Sequence, residues 1–109
     1  MPTMIGRFND PLSFEPGTDK LKVAGTLECD ADDAGKRVRI GATIKQGTER
    51  VACSDDFTMP NPAGTLNWSM EVSAGNISAG SADGCADAEI RDNGETMDWK
   101  QPGIQIQRS

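Results

Sequence analysis

Seventeen carboxylates and eleven cationic side chains, with no histidine and no tyrosine, bound the chemistry open to this chain of 109 residues. The absence of histidine excludes Ser-His-Asp and Cys-His nucleophiles and every His-ligated metal site. Its three cysteines, Cys29, Cys53 and Cys85, are too widely spaced for a zinc knuckle. Neither a G-x-x-x-x-G-K-[ST] phosphate loop nor a dinucleotide fingerprint occurs. What remains is oxygen chemistry. Asp30, Asp32 and Asp33 form one acidic group, Asp55 and Asp56 a second, and Asp92 and Glu95 a third. Carboxylates on loops suit Ca²⁺, so Asp30, Asp32, Asp33, Asp92 and Glu95 are the candidate calcium ligands. They lack the glycine and distal glutamate of an EF-hand, and aspartate also favours turns for its own backbone bonding. Acid–base catalysis by such carboxylates needs an enclosed pocket to shift their pKa values. A chain with 36% apolar and 5% aromatic residues offers little depth for one, so the sequence points away from an enzyme and towards no obligatory cofactor.

The elements that would carry these groups alternate with period 2, the mark of half-buried strands. Leu21, Val23, Leu27 and Cys29 share one parity in Lys20 to Cys29. Val38, Ile40, Ala42 and Ile44 share one in Arg37 to Lys45, and Leu66, Trp68, Met70 and Val72 share one in Leu66 to Ser73. Arg50 to Ser54, Ser81 to Arg91, Thr96 to Trp99 and Ile104 to Gln107 complete the predicted set. Turn signals such as Gln46-Gly47, Asn93-Gly94 and Pro102-Gly103 fall between them. About seven short strands at such spacing predict an all-β, immunoglobulin-like antiparallel sandwich. Residues 20–109 form the expected domain. Residues 1–19, broken by Pro2, Pro11 and Pro16, read as an N-terminal arm or edge segment that could pack on a neighbouring subunit. Removing that arm is then expected to leave a folded domain.

Parity also sorts the cysteines. Cys29 and Cys53 follow the inward sets of their strands, whereas Cys85 falls on the polar set beside Asp83 and Asp87 unless a bulge at Gly84 reverses it. A Cys29–Cys53 bridge beside an inward Trp68 is therefore expected, with Cys85 a quiet thiol or an intermolecular one. Gly25-Thr26-Leu27-Glu28-Cys29, the strand ending near Gln46-Gly47, Cys53, Trp68 and the alanine-rich strand that follows resemble small secreted β-sandwich domains of actinobacteria. The resemblance spans about Lys20 to Gln107 and implies an exported or surface-exposed, disulfide-pinned sandwich.

A net charge of −6, with Lys36, Arg37 and Arg39 the one basic cluster, argues against nucleic acid or an anionic membrane as partner. No stretch is apolar enough to span a bilayer, and Met1 to Lys20 lack the pattern of a signal peptide. The expected setting is extracellular, on a cell surface or on a virion. These observations lead to a non-catalytic structural or interaction module on a surface: a virion decoration or capsid-associated protein, a fibre subunit or a secreted accessory domain. Such a module meets protein partners or copies of itself. The alternative is a ligand-binding module for calcium, a carbohydrate or a small molecule, using loops at one end of the sandwich. Trp99, between Asp98 and Lys100, is the aromatic expected to be partly exposed. A third reading, a protein inhibitor or toxin, rests on the stiff, protruding Met59 to Gly64 segment.

Overall fold

The described residues form eight strands, joined by turns and one short 3-10 turn. They are β1 (Ile5–Phe8), β2 (Leu12–Phe14), β3 (Lys20–Glu28), β4 (Arg37–Gln46), β5 (Glu49–Thr58), β6 (Thr65–Ser73), β7 (Gly80–Ile90) and β8 (Thr96–Gln107), with the 3-10 turn at Ala31–Asp33. The computed structural model describes residues 5–29, 31–62, 64–92 and 94–107.

One layer is β6–β3–β1 and the other is β5–β4–β7–β8, the strand order of an immunoglobulin-like sandwich. All pairings are antiparallel but one. That one involves β2, which pairs with the start of β3 on one side and runs parallel to the end of β8 on the other, Leu12 opposite Ile106. Hydrogen bonding thus passes continuously from one layer to the other along this flank. The β4–β5 turn places Gly47 at φ 63°, the first of two linking residues, as a type II′ hairpin requires.

Inward residues of both layers make one core. Leu21, Val23, Leu27, Val38, Ile40, Ile44, Ile90 and Ile104 are almost wholly excluded from water. At its centre Phe8, Trp68 and Trp99 meet ring on ring, with centroids 5.7 to 6.4 Å apart. Two glycines make room for this packing. A Cβ at Gly25 would strike the Arg7 carbonyl and come 2.6 Å from the Trp68 ring, and one at Gly84 would lie 2.7 Å from Phe8.

Several expectations are revised here. The leader of residues 1–19 is not a separate arm in its described part. Phe8, Leu12 and Phe14 are core residues, and β2 lies between β3 and β8. Prolines 11 and 16 bound these short strands rather than forbid them. The two predicted C-terminal strands are one long β8, whose pairing with β7 slips between Ala82 and Gly84. Asp55 and Asp56 belong to β5 and not to a loop. Trp99 is half-buried, in keeping with the partial exposure expected of it, and its indole nitrogen lies inside, with its ring against Gly6 of β1.

Candidate interaction face

The expected Cys29–Cys53 bridge is absent: all three cysteines are free thiols. The strands explain why. Cys29 lies just past β3, its amide donating to the Gly64 carbonyl at 3.4 Å. Cys53 sits midway along β5 opposite Ala42, and roughly 20 Å of extended chain separates it from Met59, where the connection towards Gly64 begins. A disulfide needs Cα atoms within about 7 Å. Parity identified two inward-leaning thiols but carried no information on how far along the layers they stand. Burial against the core pushes the Cys53 thiol above its ordinary pKa.

Cys85 lies on the opposite, outward face of β7, opposite Thr43 of β4 and Lys100 of β8. That face can be laid out row by row from the register. Asp56, Arg39, Glu89 and Thr96 form one row across β5, β4, β7 and β8. Ser54, Gly41, Asp87 and Asp98 form the next, then Ala52, Thr43, Cys85 and Lys100. Arg50, Lys45 and Asp83 follow. Among the described residues no element covers these side chains, which are exposed or half-exposed apart from Gly41. Gly41 is buried because Arg39 and Asp87, paired at 3.0 Å, close over it, and a Cβ there would meet Asp87 Oδ1 at 2.7 Å. The small groups Thr43, Ala52, Ser54 and Cys85 therefore lie low beside this ion pair. Arg91 adds one with Asp56 at 3.2 Å and one with Glu89 at 3.5 Å.

The acidic candidates are only partly brought together. Asp33 is buried in the 3-10 turn, and Asp92 follows β7. Both approach the Lys36 ammonium, at 3.8 Å and 3.6 Å. A cation of the chain itself thus occupies the point on which these two carboxylates converge. Asp32 is exposed, Glu95 half-exposed, and Asp30 lies outside the described residues. Among the described residues no group of three or more acidic or cysteine side chains is arranged to hold a metal ion. The Met59 segment is anchored rather than protruding at its root: Met59 is buried and its amide donates to the Lys36 carbonyl at 2.8 Å.

Sequence reading did not find a shallow hollow of about 330 Å³ on the other layer, where the chain crosses from β1 to β2. Asn9, Ser13, Lys22, Asn67 and Ser69 line it, with Trp68 beneath. The Trp68 indole N–H is buried and has no hydrogen-bond partner among the described residues. No pattern in the sequence marks such a gap, because it arises from the interruption between two strands that share one neighbour. Compared with known protein families and with curated proteins, the chain matches no family model and no curated sequence.

Proposed function

We propose that the chain is a non-catalytic interaction module that offers the outer face of β5–β4–β7–β8 to a protein partner as part of a surface assembly. The observation that carries this reading is the uncovered four-stranded face itself. Small side chains at Thr43, Ala52, Ser54 and Cys85 let a partner approach the backbone closely, and charged groups surround them. Interfaces of this kind place a desolvated centre inside a polar margin. Photo-cross-linking from position 54 in the native source tests it. Cross-links should form to one protein species, vanish in Thr43→Arg, and be absent from position 71 on the opposite layer. Equal cross-linking from both layers would overturn the reading.

A second reading is favoured by the unpartnered Trp68 indole N–H beside the amide- and hydroxyl-lined hollow. A small polyhydroxylated ligand would suit it, because hydroxyl oxygens accept from indole and amide N–H groups. In a Trp99→Phe variant only Trp68 reports by fluorescence. A saccharide panel that shifts its emission would support this reading, and an unmoved spectrum would remove it.

A further inference from the structure

The charges on the outer face fall into columns of opposite sign. On β4 the outward positions carry Arg39 and Lys45, and in the same rows β7 carries Glu89 and Asp83, with Asp87 beside Gly41 between them; Arg37 and Arg91, side by side where the Arg91 amide donates to the Arg37 carbonyl, lie beyond these rows at the end of the face. We infer that this face is self-complementary and pairs two copies of the chain about a two-fold axis running along the strands between β4 and β7. This rests on the interaction-module reading and names the partner.

The register decides the geometry. Rotation about that axis lays β4 of each copy over β7 of the other while keeping every row in place. Arg39 then faces Glu89 of a second copy, Lys45 faces Asp83, and Thr43 faces Cys85, and each contact occurs twice as an isologous interface demands. The competing axis, across the strands, sets Arg39 on Lys45 and Glu89 on Asp83, like on like. Charge therefore selects one of the two face-to-face arrangements and opposes the other. Thr43 and Cys85 are the small groups that allow close approach, while Arg39 and Asp87, paired with each other over Gly41, meet the second copy as a neutral pair. The usual crossing of about 30° between stacked sheets keeps column over column at the centre. Long arginine and lysine side chains bridge the divergence at the ends.

Four strands about 4.8 Å apart and some seven residues deep give a contact near the lower limit for specific association. The net charge of −6 on each copy opposes approach at long range. The pair is therefore weak and reversible, formed where the chain is concentrated, as on a surface.

Sedimentation of the purified chain tests this with Lys45→Glu and Asp83→Lys. Wild type should show concentration-dependent dimers. Each single variant, which places like charges in contact twice, should weaken dimerisation at least tenfold. An equimolar mixture of the two variants should recover dimers. The carboxylate introduced in one then meets the ammonium introduced in the other, and the second contact is native. Asp83 also accepts the Gly103 amide at 3.2 Å, so thermal melts check that each variant is folded. Arg39→Glu with Glu89→Lys repeats the exchange at the other end of the columns. A wild type that stays monomeric at millimolar concentration, or a mixture that stays monomeric while wild type dimerises, overturns the inference. Cross-links from position 54 to a different protein would then leave the module reading standing.

Discussion

Gln101 shows how one side chain can stand in for a strand. Its amide oxygen accepts the Phe8 N–H at 3.0 Å, and its amide nitrogen donates to the Phe8 carbonyl at 3.3 Å. It thus closes, from β8, the edge of β1 that faces away from β3. Removing it strands two half-buried backbone groups, each costing about 1–3 kcal/mol when unsatisfied. Gln101→Ala should therefore lose about 2–4 kcal/mol in denaturant titration. Gln101→Glu keeps an acceptor for the Phe8 N–H but sets an anionic oxygen against the Phe8 carbonyl, so it too should be destabilised. Near-wild-type stability of either variant would show that β1 does not depend on this contact. Cys53 makes a second prediction at this scale. Burial raises its thiol pKa, so the folded state holds that proton more tightly than the unfolded one. The resulting stability is complete below the unfolded thiol's pKa and is lost as pH rises through the folded value. As pH rises above about 8.5 the melting temperature of wild type should fall more steeply than that of Cys53→Ala. Parallel slopes would contradict it.

At the scale of elements, β1 and β2 are the test of whether the N-terminal segment is an appendage. Phe8, Leu12 and Phe14 are each at most 4% exposed. Burying three such side chains contributes roughly 5–9 kcal/mol, comparable to the whole stability of a small domain. A chain lacking residues 1–14 should show no cooperative thermal transition and a disordered far-ultraviolet spectrum. A folded truncation would restore the arm. The contrast explains what the sequence could disclose. In β3, β4, β6 and β7 a long alternation reports itself, because one face is buried and the other wet. Four- and three-residue strands flanked by prolines carry too few alternations to be told from a loop. Their burial is decided by β3 and β8, which lie far along the chain. The outward placement of Cys85 could be read from parity for the same reason that β7 could. The charge columns could not, since columns exist only once the register aligns β4 with β7. The distance between Cys29 and Cys53 was hidden likewise, because parity gives the side of a sheet and not the position along it.

For the whole molecule the telling feature is that two strands some ninety residues apart in the chain, β2 and the end of β8, hold each other. β2 is hydrogen-bonded to the end of β8, so the flank linking the layers closes only when β2 and β8 have both arrived. Topologies dominated by such distant pairings fold in milliseconds to seconds rather than microseconds. The same closure should appear as energetic coupling. Leu12 and Ile106 are direct partners and both are buried. Leu12→Ala should cost about 2–5 kcal/mol and Ile106→Val about 0.5–1.5 kcal/mol. The double variant should depart from their sum by at least about 0.5 kcal/mol, as contacting sites do. Val38 provides the comparison. It pairs with Ile90 at the far end of β7, whereas Ile106 pairs with Gly80, and roughly 33 Å of strand lies between the two sites. Leu12→Ala combined with Val38→Ala should therefore be additive to within about 0.5 kcal/mol. If Leu12 and Ile106 prove as independent as Leu12 and Val38, the layers are joined through the aromatic core alone and the flank contributes nothing.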